Sequence, residues 1–469
     1  MGYNLIPLIK PRTIPPLDDS FRPAVLWNHA FLDGVRNSKK GVPLSIAIKK
    51  EDDSISVHKT QIFSDESKFA SSNYFYVEQL VKTLLWIHGG YEIVVGGPKK
   101  IGEYIKELHS REGKRSFDAN FMSNIYKKPF SVVACNAEQV LPVKEKLIPL
   151  NRQLNGCRIG FDLGASDRKV SAVIDGKVVF SEEVVWNPSV QTNPKYHYHE
   201  IMSMLHHAAA HMPRIDAIGG SSAGIYISNR VMSASIFRGI SPDLFEKRVK
   251  NIFLDIQKEW DVPFKVINDG EVTALAGSMS LKVNSILGIA MGSSEAGGYV
   301  DRKGNITTRL NELAFVPIDF NGQAPIDVWS KDFGCGVQYL SQVAVARLAQ
   351  KSGININKNY SPAEKLKFVQ ELLAKGDDRA VKIFETIGIY LGYAIAHYAG
   401  FYNIKNILIL GRVTSGKGGH IIFEEAIHVL KEEFAELFEN ISLHLPDEPN
   451  RRVGQSIAAA SLPLIDDQV

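Results

Sequence analysis

RIGFDLGASDRKVSAVID, residues 158–175, combines two apolar runs with a short turn between them. The first run ends at Phe161 and is followed by a carboxylate at Asp162, small residues at 164–166 and a second apolar run at 170–174. This pattern predicts a β-hairpin with a tight turn beside an acidic side chain. Backbone N–H groups in such a turn can face a phosphate, and the Asp can reach the accompanying metal ion. Because hairpins of this kind also occur where no nucleotide binds, both interpretations stay open.

The length and composition predict a soluble globular chain of about two or three domains. Of the 469 residues, 45% are hydrophobic and 22% are charged, as in ordinary globular proteins. The net charge of +3 is too small to indicate a surface for polyanions, so nucleic acid is not an expected partner. No apolar run approaches the roughly 18 residues of a membrane span and no signal peptide is evident, so we expect a cytoplasmic protein.

The first 155 residues carry a different pattern, which mixes strands and helices. Alternating apolar residues predict a hairpin over 44–57, helical spacing predicts a helix over 76–88, and a strand, a glycine turn and a helix follow over 92–109. Segment 114–130 mixes basic and aromatic side chains. That mixture is compatible with base stacking or with a solvated loop that has core anchors, and we favour the loop.

A second acidic element follows a short predicted strand at 263–267. Asn268-Asp269-Gly270 stands between that strand and a helix of small residues that begins at Glu271. An Asp in this position can accept a proton from a substrate hydroxyl, and the neighbouring amide can bind other hydroxyls. Asp269 can equally serve as a helix cap, so the residues alone leave its role open.

Residues 286–300 repeat the plan of the first hairpin. A strand leads into a turn of small residues at 292–298, and a second strand follows. Two such hairpins in successive halves of the chain predict two related lobes that hold one polyphosphate between them.

Seven segments resemble, in their order along the chain, the ROK family of sugar kinases and sugar-responsive repressors. They are FDLGASDRKVSAV (161–173), GGSSAG (219–224), INDGEVTAL (267–275), the turn at 292–300, NELAFVPID (311–319), ILILGRVTSGKGG (407–419) and GQSIAAASL (454–462). The resemblance implies the α/β fold shared by sugar kinases, actin and heat-shock ATPases. Two ribonuclease-H-like (actin-like ATPase) lobes, 156–280 and 281–469, would surround a cleft, and residues 1–155 would form an accessory α+β domain.

The resemblance also implies a reaction, ATP-dependent phosphorylation of a hexose or amino-sugar hydroxyl. Asp269 would be the catalytic general base, and the sugar would contact Asn268, Glu312 and Gln338. The residues implied for the nucleotide are Asp162, Gly164, Ser166, Gly292, Ser293, Gly297, Gly298, Gly411, Ser415 and Gly416, with Asp162 also holding Mg²⁺. The expected ligands are therefore a sugar, ATP and Mg²⁺, and a homodimer is the candidate assembly.

Several positions depart from the pattern of this family. Glu295 stands in the second turn, where its charge would oppose a phosphate. Phe315 replaces the zinc-binding His of the family, and the cysteine-rich zinc loop keeps only Cys335, so no zinc is expected. Gln338 stands where the family has a sugar-binding Glu, so the identity of the sugar is not implied.

These departures motivate a rival hypothesis, a non-catalytic sugar or nucleotide sensor derived from a ROK kinase. A DNA-binding repressor of the family is a third interpretation. The mild net charge and the strands in the N-terminal region argue against that third interpretation.

Overall fold

The computed structural model of this protein describes residues 5–50, 53–144, 147–148, 154–165, 167–446 and 448–465. Ser166, one of the residues expected to bind phosphate, lies outside the described residues.

The N-terminal region forms a four-stranded sheet with helices packed on it. Its strand order is β2-β1-β3-β4, and only the β3–β4 pairing is parallel. The elements are α1 (Ala24–Ser38), β1 (Val42–Lys49), β2 (Ile55–Ile62), α2 (Ser72–His88), β3 (Glu92–Gly96), α3 (Lys99–Leu108), α4 (Ser116–Tyr126), β4 (Ser131–Cys135) and the short β5 (Leu147–Ile148), which joins another sheet.

The predicted hairpin and the predicted helices at 76–88 and 99–109 are present in this region. The loop predicted over 114–130 is wrong, because α4 occupies most of it. The aromatic side chains Phe117 and Phe121 pack beside Trp86 of α2, with ring centroids 6.2 and 5.0 Å away. Their spacing of four residues is that of one helix face.

The first lobe contains a five-stranded sheet of order β12-β9-β6-β7-β8, in which β6, β9 and β12 run parallel. Between β11 and β12, two helices are separated by a π turn at Phe245–Val249. The elements are β6 (Cys157–Leu163), β7 (Asp167–Ile174), β8 (Lys177–Val185), α5 (Pro194–Ala209), β9 (Ala217–Ser222), β10 (Ile225–Ile227), β11 (Arg230–Ser233), α6 (Pro242–Leu244), α7 (Ile252–Trp260), β12 (Phe264–Asn268) and α8 (Asp269–Leu281).

The second lobe contains a six-stranded sheet of order β17-β16-β13-β14-β15-β5, so the strand from the N-terminal region forms one edge. Helix α14 returns to the first lobe and packs on β6, β9 and α8. The elements are β13 (Ile286–Met291), β14 (Glu295–Val300), β15 (Ile306–Thr307), α9 (Gln342–Lys351), α10 (Pro362–Ala374), α11 (Asp378–Tyr398), β16 (Asn406–Leu410), α12 (Lys417–Glu433), α13 (Ala435–Asn440), β17 (Ser442–His444) and α14 (Glu448–Ala460).

One hydrophobic core joins the N-terminal region to the second lobe. Phe21 lies 4.8 Å from Tyr390 of α11, and Trp86 stacks on Phe315 at 4.1 Å, measured between ring centroids. The first lobe has a separate core around β6 and α7. The N-terminal region is therefore packed as part of the second lobe.

Within the described part of the chain, no helix combines the length and the apolar character needed to cross a bilayer.

Candidate functional site

The parallel strands of the first lobe end side by side, which brings polar residues from three segments together. The strand register places Asp162 opposite Ser221 of β9, and one position later it places Ser222 opposite Asn268 of β12. The Ser221 hydroxyl donates a hydrogen bond of 2.6 Å to Asp162 Oδ1. Ser221 was not predicted as a site residue, because the register between distant strands is not encoded in local sequence patterns.

Asn268 and Asp269 stand at the start of α8, and Asn268 is its N-cap. Asn268 Oδ1 accepts a hydrogen bond from Gly270 N at 2.8 Å, and Asn268 Nδ2 donates to Gly224 O at 2.7 Å. Gly270 N also donates to Asp269 Oδ1 at 3.0 Å. Much of the Asn268 amide is therefore engaged within the protein, whereas the partly buried carboxylate of Asp269 stands at the end of the sheet.

Asp269 lies within electrostatic range of two other carboxylates, those of Asp162 and Glu312. Burial raises the pKa of Asp162. Burial and the charge of Asp162 raise the pKa of Asp269 to about 6, against a smaller lowering by the Gly270 N–H. Burial and the charge of Asp269 in turn raise the pKa of Glu312 to about 7. A divalent cation at Asp162 would relieve this repulsion, so the oxygen donors fit Mg²⁺.

The raised pKa of Asp269 predicts a pH dependence. A general base must be ionised, and the ionised fraction of Asp269 falls as the pH drops through about 6. We expect kcat/KM for the sugar to be level above about pH 7 and to fall about tenfold per pH unit well below 6. A pH–rate profile measures this directly. A profile that stays level down to about pH 3.8, the ordinary pKa of an Asp side chain, would contradict the assignment of the base.

The second hairpin, β13–β14, turns at Gly292 to Ser294, and Gly292 N donates to Ser294 O at 2.9 Å. The structure thus places Gly292 and Ser293 in the turn, but Gly297 and Gly298 lie within β14. A Cβ on Gly298 would stand 1.9 Å from the carbonyl oxygen of Gly270. Close packing of β14 against α8 is sufficient to require a glycine at this position, and its contact with a phosphate stays a prediction.

The side chain of Glu295 does not carry a charge into the turn. The prediction that it would repel a phosphate was therefore wrong. The Glu295 side chain is 1% exposed, and Tyr398 of α11 donates a hydrogen bond of 2.8 Å to its Oε1. Burial raises the pKa of Glu295 to about 8. This residue is therefore largely protonated at neutral pH and belongs to the core beneath the hairpin.

The buried Glu295 predicts a stability difference from the variant Glu295→Gln. Its pKa in the folded protein is above its ordinary value of 4.5, so the folded state holds this proton more tightly. Protonated Glu295 therefore stabilises the folded state. This stabilisation is complete below about pH 4.5 and is lost as the pH rises to about 8. Urea unfolding should show the wild type losing stability relative to Glu295→Gln over this window, by at most about 1.4 kcal/mol per pH unit. Parallel pH curves for the two proteins would contradict this.

Glu312 precedes a turn at Leu313–Phe315, which packs on the turn Gly336–Gln338 that carries Gln338. The structure thus brings the segments of these two predicted sugar-binding residues together. The Gln338 side chain is 6% exposed.

A buried ion cluster lies where the family has its zinc loop. It consists of Glu78, Lys82, Arg115 and Asp332, with side chains that are 0–10% exposed. Lys82 and Arg115 both pair with Asp332, Arg115 also pairs with Glu78 at 2.7 Å, and Lys82 Nζ lies 3.5 Å from Cys335 Sγ. Among the residues that the structure describes, no cluster of three or more His, Cys, Asp or Glu side chains is arranged to hold a metal ion.

A cavity of about 930 Å³ lies between α8, α14 and the loop that follows β16. Gly411 and Ser415, two of the residues expected to contact the nucleotide, line it, and Gly416 is the N-cap of α12 next to them. Lys169 of β7 and Arg412 also line this cavity, and neither was predicted. Its size is suited to a nucleotide.

A smaller cavity of about 380 Å³ lies beside Asn268 and is also lined by Lys50, Glu271 and Arg309. Asp269 and Glu312 are not among its lining residues. We therefore locate the candidate chemistry at the carboxylates rather than in this cavity.

The chain is similar in sequence and in fold to known proteins. The family model described as "ROK family" matches residues 158–428. A ROK family glucokinase from Streptomyces griseus, solved with glucose and AMPPNP, is 18% identical and has a TM-score of 0.51, covering 66% of this chain and 99% of its own. A ROK hexokinase from Thermus thermophilus is 14% identical, with a TM-score of 0.52 and coverages of 66% and 98%.

A ROK family transcriptional regulator, described as a homolog of the E. coli MLC protein, is 16% identical with a TM-score of 0.53, covering 82% of this chain and 97% of its own. Comparison with curated proteins gave no match. At these identities the likeness establishes the fold, and the predicted α/β fold with two actin-like lobes is confirmed.

Proposed function

This chain belongs to the ROK family, and we propose that it is an ATP-dependent sugar kinase that phosphorylates a hydroxyl of a hexose or an amino sugar. The observation that carries the proposal is Asp269, an acid with a raised pKa at a helix N-terminus, in electrostatic range of both Asp162 and Glu312. The S. griseus glucokinase of this fold was solved with glucose and AMPPNP. That ligand pair supports a sugar and a nucleotide as the ligands here.

Each carboxylate has a distinct task in the proposed reaction. Asp269 takes the proton of the attacking sugar hydroxyl, while Glu312 accepts hydrogen bonds from other hydroxyls and fixes the orientation of the ring. Asp162, oriented by Ser221, would hold Mg²⁺ together with the phosphates. Bound Mg²⁺ neutralises charge on the transferred phosphoryl group. The rate enhancement then comes mainly from the alignment of the hydroxyl with the γ-phosphate and from this neutralisation.

The proposal is tested by calorimetric titration of the purified protein with Mg-ATP and with a panel of hexoses and amino sugars. We expect Mg-ATP and at least one sugar to bind, and to bind together. Binding of a sugar alone, with no affinity for Mg-ATP, would contradict a kinase.

Two residues favour the rival proposal, a non-catalytic sensor. Phe315 stands where the family has a zinc-binding His, and Gln338 stands where it has a sugar-binding Glu. The rings of Phe315 and Trp86 stack with their centroids 4.1 Å apart. The position that holds a zinc-binding His in the family therefore makes a core contact here. The sensor predicts binding of a sugar without phosphotransfer. For the repressor, tight binding to operator DNA that weakens steeply with salt would be the distinguishing result.

A further inference from the structure

Asp167 begins β7, directly after the turn of the first hairpin, and it faces cations from both lobes. Its Oδ1 lies 3.3 Å from Nζ of Lys169 on the same strand. Its Oδ2 accepts a hydrogen bond of 3.1 Å from Nη2 of Arg412, which is on the loop after β16. The Asp167–Arg412 pair therefore connects the second lobe to the first.

This ion pair stands at the nucleotide cavity. Lys169 and Arg412 both line the cavity. The carboxylate of Asp167 lies close to the turn, because its Oδ1 is 3.6 Å from the position that a Cβ on Gly164 would take. The backbone of the same residue also binds the turn, since Gly164 N donates to Asp167 O at 2.9 Å. Cations from two sides around one anion, beside a tight turn of small residues, form an arrangement that also suits a phosphate group.

We propose that Asp167 holds the place of a nucleotide phosphate between Lys169 and Arg412, and that a nucleoside di- or triphosphate displaces it and takes over both cations. The inference rests on the proposed function, because it names further residues of the same nucleotide site. Asp167 thus competes with the phosphates, and Arg412 carries the contact from the second lobe. Neither Lys169 nor Arg412 is among the residues that the family resemblance implies for the nucleotide.

The test is calorimetric titration of the full chain with Mg-ATP for the wild type, Asp167→Asn, Arg412→Gln and the double variant. Arg412 is 56% exposed, so removal of the competing carboxylate should tighten binding by about twofold to fivefold. Arg412→Gln should weaken binding about tenfold, because a charge-assisted contact to phosphate is lost. In the Arg412→Gln background, Asp167→Asn should give a smaller gain.

Two controls separate this mechanism from a general structural effect. Adenosine has no phosphate, so its affinity should be equal in the wild type and in Asp167→Asn. The second control is Asp243→Asn. Asp243 is an exposed acid on α6 that pairs at 2.9 Å with Lys247 of the following turn. This variant should leave Mg-ATP affinity unchanged.

The outcomes distinguish this inference from the proposed function. If the wild type binds Mg-ATP and Asp167→Asn binds it equally or more weakly, the inference alone is overturned. If neither protein binds Mg-ATP, the proposed function is overturned together with it. Binding that is detectable only in Asp167→Asn would support both.

Discussion

The variant Asp269→Asn is expected to lower the rate of phosphotransfer by about 10²–10⁴-fold, because it removes the base that accepts the proton of the sugar hydroxyl. The amide keeps the size of the carboxylate and can still accept a hydrogen bond from Gly270 N, which donates to Asp269 Oδ1 at 3.0 Å. The fold and the affinity for Mg-ATP should therefore persist. A coupled assay of ADP formation measures the rate, and titration measures the affinity.

A matched control for this variant is Asp261→Asn. Asp261 is exposed at the end of α7 and has a φ of 49°, a conformation that Asn adopts readily. The control makes the same chemical change away from the cleft, so its rate should equal that of the wild type. Equal rates for Asp269→Asn and the wild type would remove Asp269 from the mechanism.

The variant Asp332→Ala is expected to destabilise the protein by about 3–5 kcal/mol, because it takes the shared carboxylate away from two buried cations. The side chains of Lys82 and Arg115 are 0% and 3% exposed. Arg115 keeps its bond to Glu78, whereas Lys82 keeps only weaker neighbours such as the Cys335 thiol at 3.5 Å. Urea unfolding followed by circular dichroism measures the loss.

Two further variants show whether the loss comes from the buried charge of Lys82. The double variant Lys82→Met with Asp332→Ala removes the cation as well, so it should be more stable than Asp332→Ala alone. Asp243→Ala removes one partner of an exposed ion pair, and it should change stability by less than about 0.5 kcal/mol. A cost for Asp332→Ala no larger than for Asp243→Ala would mean that the cluster does not stabilise the fold.

The elements that the sequence predicted best are those encoded by local patterns. The hairpin around Asp162 and the strand that ends at Asn268 follow from apolar alternation and turn residues a few positions apart. Their order along the chain matches the family, so the resemblance could place them around one cleft. Helix α4 also had a local signal, the four-residue spacing of Phe117 and Phe121, which the basic residues around it obscured.

The contacts that were not predicted depend on tertiary packing. Arg412 meets Asp167 only because the two lobes close on each other at this point. Glu295 was expected to carry charge into the turn, but its cross-strand partner is the buried Met291. A local pattern does not show which face of a hairpin is covered by a distant helix such as α11.

The loss of the zinc ligands was visible in the sequence, but the ion cluster at that place was not. Lys82 and Arg115 come from the N-terminal region, more than 200 residues before Asp332. The two parts of the chain meet because the N-terminal region shares a core with the second lobe. This packing gives the N-terminal region a defined structural task near the predicted sugar side of the cleft.

The most direct test of the proposed function is a search for a phosphorylated sugar among the products of the purified protein, Mg-ATP and a panel of hexoses and amino sugars. Mass spectrometry of the products identifies the sugar that gains one phosphoryl group. We predict that the wild type forms such a product and that Asp269→Asn forms essentially none. A wild type that binds both Mg-ATP and a sugar of the panel but forms no sugar phosphate would contradict the kinase and support the sensor.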